Sequence, residues 1–432
     1  MHSACDPDRD PQSARPRDSE VNVRHVLRTF SHRRSAAAPA DCAAPVGRAT
    51  ARGASVLTAA DELAAVEDEW TALAELRCNP FVSPDWFWSW LRNCASYDLP
   101  FVPVLRTDEG RLLGLIPLVS SARLGMRALA FAGAEFGDYF HPAAAEVDEV
   151  ATARAAAALL AERRQEWSVL VADYVDDRSQ WVAALSASET KQMKIVRYHD
   201  RVSKLRSAVI SGLTWEDYLA SRSSNFRSQL GRKQRGLARD HQVVYRSADA
   251  RSLSTDMETL FDLHARRWAQ GRSTIFSAPA KQAFHQDFAR AALARGWLRL
   301  WLLEVDGAPI AAWYGWRLGD RYLYYQAGFD PVWANHSPGL LLLARTIRGA
   351  IEEGAAAYDM LLGDETYKAR FAGDERTAQT LVMTRARHPA RAIVATDIGL
   401  RRVARRLPPG VRRPLRAALA PVLRRWPIDT AP

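Results

Sequence analysis

Long apolar runs are missing from this chain. No stretch approaches the roughly 18 consecutive apolar residues that a membrane span needs, and the opening MHSACDPDRD lacks the apolar core of a secretion signal, so a cytoplasmic protein is expected. Cysteine is scarce. The four cysteines stand at positions 5, 42, 78 and 94 with no CxxC pair and no paired-histidine spacing, which indicates neither a disulfide scaffold nor a metal site. Acids are scarce in one region: from Arg387 to Asp429 eleven arginines face two aspartates, a net +9, so most of the formal charge of +10 belongs to the tail. Net charge therefore says little about a nucleic-acid partner.

What the chain does contain is core material. A hydrophobic content of 48% with 14 tryptophans fits a globular protein, and 432 residues exceed what one hydrophobic core usually holds. The expected division is a disordered leader over 1–54, one unit over 55–205, a second over 206–386 and a basic Arg/Pro-rich tail over 387–432. The leader is rich in Arg, Ser, Pro, Asp and Ala without sustained periodicity. The tail carries two basic, Leu/Val/Ala-bearing segments around Leu407-Pro408-Pro409-Gly410. It reads as a weakly structured tail, with short amphipathic helices on an anionic membrane surface as the alternative.

Between the tails the same plan runs twice. In the first pass, strand-like runs Phe101 to Arg106 and Arg111 to Val119 flank Asp108-Glu109-Gly110. An apolar run at Ala128 to Phe131, a Gly-rich loop, an Ala-rich helix near 150–163 and a strand from Trp167 to Asp173 follow. In the second pass, Leu298 to Val305 and Pro309 to Arg317 flank Asp306-Gly307, a dipeptide suited to a tight hairpin. A strand from Arg321 to Gln326, a helix from about 338 to 353, a strand from Ala357 to Leu362 and a short helix around Glu365 to Phe371 complete it. Meander, helix, strand, helix is an α+β unit, here in tandem.

The sharpest local feature is Ser337-Pro338-Gly339 ahead of Leu340-Leu341. Ser337 suits an N-cap, Pro338 the first helical position, and Gly339 a close approach by backbone or ligand. Free N–H groups at such a helix start seat a pyrophosphate, although the tripeptide is also simply a good helix start. Arg222, Arg227, Arg232, Lys233, Arg235 and Arg239 line a helix without an acid between them, and Arg227, Arg232, Arg235 and Arg239 are spaced 5, 3 and 4. That face meets an anionic acceptor or RNA, or is a solvated surface packing through Phe226, Leu230 and Leu237.

Several pieces together resemble the bacterial cellulose-biosynthesis-type (CelD/BcsL-like) acetyltransferases, a double-GNAT group related to the Fem peptidyltransferases. They are Asn79-Pro80-Phe81 with Ser83-Pro84-Asp85-Trp86 and Trp90, Gly137-Asp138-Tyr139, the basic helix from Phe226 to Leu237, and Arg267-Trp268. Asp306-Gly307-Ala308-Pro309-Ile310-Ala311, Ser337-Pro338-Gly339 and Tyr358-Asp359-Met360-Leu361-Leu362-Gly363 leading into Tyr367-Lys368 continue the series. The resemblance spans about 56–385. It implies tandem GNAT-like α+β units, each a mixed sheet flanked by helices, and transfer of an acyl group from acetyl-CoA or another acyl-CoA to an amine, on an amino sugar or cell-envelope or polysaccharide precursor. Acyl-CoA then lies in the second unit, between the splayed strands after Tyr325 and Gln326, against Ser337, Gly339, Leu340 and Leu341. One departure stands out: the glycine- and base-rich phosphate loop of single-domain GNAT enzymes is reduced here to Gly339, with Arg345 and Arg348 further on.

An amine attacking a thioester must lose a proton, and the thiolate must be stabilised as it leaves. Tyr367 is the candidate acid and Lys368 a holder of phosphate or developing negative charge; the alternative is that Tyr367 packs and Lys368 faces solvent. Asp359 is the candidate base, with Asp364 or Glu365 within reach; it is equally readable as a buried structural carboxylate, and a water relay needs no base. His336 beside the helix start reads as solvated. Phe136-Gly137-Asp138-Tyr139-Phe140-His141-Pro142 stands where the second unit has its cofactor loop, so the first unit is expected not to bind acyl-CoA. Asp138 and Tyr139 are then expected to face the acceptor, with Arg232 and Trp268 as further acceptor contacts. Trp86, Trp88 and Trp90 read as core. A Fem-like use of aminoacyl-tRNA, and a non-catalytic binding role in polysaccharide synthesis, remain as alternatives.

Overall fold

The structure, a computed structural model, describes residues 51–406 except 124–125, 189–192, 269–274, 364 and 366. The leader up to residue 50, the tail from residue 407 and the candidate Asp364 lie outside the described residues.

In the first half, β1 (Ala51–Leu57) leads into α1 (Ala60–Ala64), α2 (Glu67–Leu76) and α3 (Pro84–Asn93). There follow β2 (Leu99–Thr107), β3 (Leu112–Leu115), β4 (Leu118–Arg123), β5 (Met126–Phe131), β6 (Ala143–Ala144), α4 (Glu149–Glu162), β7 (Val169–Asp176) and α5 (Gln180–Ala187). Next, β8 (Met193–Val209) leads to α6 (Trp215–Ala220), α7 (Ser224–Asp240), β9 (Val243–Ser247), α8 (Leu253–Arg267) and α9 (Pro279–Ala294). The meander β10 (Leu298–Val305), β11 (Ala308–Leu318) and β12 (Arg321–Phe329) precedes α10 (Pro338–Glu352), β13 (Ala357–Leu362), β14 (Asp374–Arg385) and α11 (Pro389–Arg406). No described helix is long and apolar enough to cross a membrane.

The second meander falls where its pattern puts it. Asp306 and Gly307 adopt φ of 52° and 81°, the paired left-handed conformation of a tight hairpin. The expected single strand Arg111 to Val119 is instead two, broken at Ile116-Pro117, because proline has no N–H to give to the ladder. The chain is already strand at Ala51, inside the stretch read as leader. Part of the tail is ordered as well: α11 buries Ala390 and Val394 in a cluster with Val169, Val171 and Val382.

The strands form one sheet in the order β6-β3-β2-β4-β5-β7-β14-β8-β13-β12-β11-β10-β9, with β1 on β2. The junction at residues 205 and 206 falls inside β8, which pairs with β13 and with β14, while β14 also pairs with β7 of the first half. Each half repeats one motif. An antiparallel pair (β4–β5, β11–β12) is followed by a helix (α4, α10) and a strand parallel to the second of the pair (β7 beside β5, β13 beside β12).

Apolar spacing explains which face each helix buries. On α7, Phe226, Leu230 and Leu237 recur at helical period and are buried with Leu341, Leu342 and Tyr324, leaving its arginines outward. On the other sheet face, Trp86, Phe284, Phe288, Trp316 and Tyr325 from both halves share one core, and Trp86, Trp88 and Trp90 are all buried.

Candidate active site

The site begins where β12 and β13 part. They pair over Arg321–Ala357, Tyr322–Tyr358 and Leu323–Asp359, and then separate although both continue. At that point β12 carries a bulge: Tyr314 faces Gln326 and Gly315 faces Tyr324, leaving Tyr325 extra. Gly315 is required there, since a Cβ would stand 2.0 Å from the Leu323 carbonyl oxygen. On β13, Leu361 takes a left-handed φ of 54°, a strained conformation for a branched residue, and turns the next backbone groups into the gap.

The segment from the first half reaches that gap. Leu362 N–H donates to Asp138 Oδ2 at 3.2 Å, and the Tyr325 hydroxyl donates to the Phe136 carbonyl at 2.7 Å, so the 136–138 segment ties both splayed strands. Burial pushes the Asp138 carboxyl up to about 7, opposed by the nearby Lys368 cation and the Leu362 N–H. Lys368 is itself buried; its ammonium donates to the Leu362 carbonyl and lies 3.4 Å from Glu365. Gly363 makes that turn possible, with φ of 146° and no room for a Cβ beside the Lys368 ammonium.

Tyr367 stands beside Lys368 with its hydroxyl 3.0 Å from the Tyr324 hydroxyl. Burial raises its pKa strongly, so the phenol stays protonated. The guanidinium of Arg267, the last residue of α8, donates to the Ala327 carbonyl at 3.1 Å and has both phenols close beside it. Its neighbour Trp268 lies against it, ring centroid 4.8 Å from the guanidinium carbon. In the sequence Arg267 is marked only by the dipeptide Arg267-Trp268, and nothing in one stretch of chain sets Tyr324 beside it.

Other expected residues are placed differently. Asp359 is fully buried: Oδ1 accepts Leu361 N–H at 2.8 Å and Oδ2 faces Arg321 at 3.4 Å and Arg376 at 3.3 Å. Arg376 also pairs with Asp176 of the first half, so Asp359 fits the structural alternative, a carboxylate committed to an ion network between halves. Tyr139 is buried against Phe81 with its phenol near that same network. The Tyr325 ring is buried in the aromatic core, and the Gln326 side chain bonds His264 on α8. Arg232 is exposed on α7, next to Lys233, whose ammonium reaches the Asn335 carbonyl.

The helix start needs one correction. Helix α10 begins at Pro338 as expected, but Ser337 does not cap it through its side chain. It is left-handed, φ of 56°, closing the 3-10 turn Pro331–His336. Its carbonyl accepts N–H from Leu340 at 3.0 Å and Leu341 at 3.2 Å, and the Leu341 side chain is buried in the core. These two N–H groups are therefore not open to a ligand. Gly339 is the donor of that turn for which no hydrogen bond is described. A Cβ at Gly339 would meet only Phe329, at 3.5 Å, so nothing in the chain itself demands glycine there. Among the described residues no group of three or more His, Cys, Asp and Glu side chains is placed to hold a metal ion.

Residues 224–369 match the acetyltransferase (GNAT) domain family, a segment that runs from the start of α7 to Ala369, just after Lys368. No curated protein matches the chain. Among solved structures, the chain is similar to the C-terminal domain of a protein assigned as a lysylphosphatidylglycerol synthetase from Agrobacterium fabrum. That match has 11% identity and a TM-score of 0.51, covering 78% of this chain and 96% of that one. It is also similar to FemX, at 12% identity and a TM-score of 0.50, covering 72% and 95% of the two chains. At these identities the likeness speaks for the fold: α+β, of GNAT type, with a mixed sheet flanked by helices.

Proposed function

We propose that this chain is an N-acyltransferase that moves an acyl group from acyl-CoA to an amine, with its reaction centre in the β12–β13 gap. The observation that carries this reading is the convergence at one end of that gap of Asp138, Lys368, Tyr367 and Arg267, inside the segment matched to GNAT acetyltransferases apart from Asp138. In this reading the amine nitrogen attacks the thioester carbonyl and its proton passes to the Asp138 carboxylate. A base with a pKa of about 7 is half ionised at neutral pH, close to the optimum for this work. The C–S bond then breaks, and the Tyr367 phenol hydrogen-bonds the departing thiolate; a phenol with so raised a pKa stabilises the thiolate better than it surrenders a proton. Lys368 holds the Leu362 carbonyl in place and favours ionised Asp138. The open N–H of Gly339, at the positive end of the α10 dipole, supplies a seat for a CoA phosphate.

The acceptor class proposed is an amino sugar or a similar cell-envelope precursor. The reading is tested by mass spectrometry of ligand retained on purified protein, a CoA-dependent thermal shift, and turnover of acyl-CoA against a panel of amino sugars. A chain that shows neither a shift with any acyl-CoA nor turnover would sink it. The exposed arginines of α7 favour a second reading, in which the donor is an aminoacyl-tRNA. That reading requires tRNA affinity that falls steeply with salt and with charge removal at Arg232 and Lys233; affinity unchanged by either removes it.

A further inference from the structure

Arg267 stands apart from its neighbour. Arg266 turns to the surface and pairs with Asp262 at 2.7 Å and Asp330 at 2.9 Å. Arg267, one residue on and half-buried, has two phenols, a backbone carbonyl and two aromatic faces around its charge: Trp268 at 4.8 Å and Phe329 at 5.2 Å. Among the described residues no carboxylate pairs with it. Withdrawing a guanidinium from water without an acid is costly, and its planar fork is suited to a bidentate partner. The aromatic faces leave its edge for hydrogen bonding, and the Tyr324 phenol can donate to the same anion.

The location indicates whose anion this is. Through Tyr367 the guanidinium sits at the reacting end of the gap, which the acceptor must enter, while the Phe329 ring is near both it and the space beside Gly339. We infer that Arg267, with Tyr324, binds a carboxylate carried by the amine acceptor, so that the favoured substrates are amino acids. This includes amino sugars bearing a carboxylate, as opposed to neutral amines. The inference rests on the acyl-transfer reading for the identity of the reaction, but anion binding by Arg267 can be measured without turnover.

The test uses full-length protein with acetyl-CoA and matched amines differing in the carboxylate: muramic acid against glucosamine, and L-lysine against 1,5-diaminopentane. Wild type should prefer the carboxylate-bearing member of at least one pair by about 10- to 100-fold in kcat/KM, mainly through KM, as expected for a charge-assisted contact. Arg267→Gln should erase that ratio and Arg267→Lys restore part of it, with KM for acetyl-CoA unchanged. In parallel, muramic acid and L-lysine are titrated without donor, following the fluorescence that Trp268→Phe removes, with thermal midpoints confirming that each variant folds. Quenching of wild type that is lost in Arg267→Gln supports the anion site even if no acyl-CoA turns over, a result that would count against the reaction and not the site. Absence of both preference and quenching overturns the inference. So does a loss in Arg267→Gln that falls on acetyl-CoA affinity, which would assign the cation to the donor phosphates.

Discussion

The chain splays the same pair of strands twice, and the two gaps are lined by different chemistry. In the first half β5 pairs with β7 over Ala128–Val169 to Ala130–Val171; in the second β12 pairs with β13 over three residues likewise. In each, the later strand carries a left-handed non-glycine residue as it leaves its partner, Tyr174 with φ of 52° and Leu361 with φ of 54°. One short segment answers both. Phe140 N–H donates to the Tyr174 carbonyl at 3.1 Å and its ring stacks on Phe131 at 4.8 Å, filling the first gap, while Asp138 takes the Leu362 N–H of the second. The helices differ in sign. Acids Glu146, Asp148 and Glu149 stand at the start of α4, where a phosphate would be repelled, whereas the first turn of α10 has none. The first half thus fills its own gap with Phe140 and sets acids at its helix start, and its Asp138 reaches into the second gap.

The largest effect that would break this comparison is at that carboxylate. Asp138→Asn keeps the shape and an acceptor oxygen for Leu362 N–H, and is expected to lower kcat/KM by roughly 10²- to 10⁴-fold. The rise of wild-type activity with pH through about 7 should vanish with it. Stability should move the other way. The folded state favours protonated Asp138, so it binds more protons than the unfolded chain between 3.8 and about 7, and wild type loses stability as pH rises through that window. The thermal midpoint of Asp138→Asn relative to wild type should therefore increase from pH 5 to pH 8. Activity preserved in this variant would leave the first half a purely structural partner.

Tyr367→Phe removes one hydrogen bond to the thiolate and should cost roughly 10- to 100-fold in kcat with little change in KM for the donor. A paired experiment sharpens the asymmetry between helix starts. Gly339→Trp sets a bulky ring at the proposed phosphate seat, where a Cβ would meet only Phe329 at 3.5 Å, so it should raise the acyl-CoA dissociation constant by at least about 10-fold, with the thermal midpoint read alongside to show that the variant folds. Phe140→Ala should do the reverse, destabilising by about 3–5 kcal/mol without creating a second CoA site, as equilibrium dialysis would show by one bound CoA per chain. Two bound would mean that the ring alone closes the first gap.

The repeated units were legible because their signals are local. Asp306-Gly307 names its own turn, Pro338 its own helix start, and the period of Phe226, Leu230 and Leu237 its own face. The closure between halves was not. Strands β8 and β14 carry mixed, charged sequences, and what makes them strands is pairing with each other and with β13 and β7. The site followed the same rule. Tyr367 and Lys368 could be singled out from one stretch of chain, but Asp359 and Asp138 look alike in sequence. Only the fold sets Arg321 and Arg376 beside the first and leaves the second at Leu362 with Lys368 near.

The smallest expected effect concerns how the bridging segment is held. His141 is buried as the neutral imidazole: its Nε2 accepts from the Asn79 amide at 2.9 Å and its Nδ1–H donates to the Pro142 carbonyl at 2.7 Å. Burial, with Arg77 nearby, lowers its pKa from 6.5 to about 4. The unfolded chain therefore binds the extra proton between those values, so the stability from neutral His141 is complete above about 6.5 and declines as pH falls to about 4. His141→Gln, which cannot take up that proton, should flatten this limb of a plot of thermal midpoint against pH while shifting the neutral-pH midpoint only modestly. Because His141 lies in the segment that presents Asp138, wild type should also lose donor-saturated activity irreversibly faster at pH 5 than the variant does. Parallel pH profiles in wild type and variant would show that another group governs the acid limb.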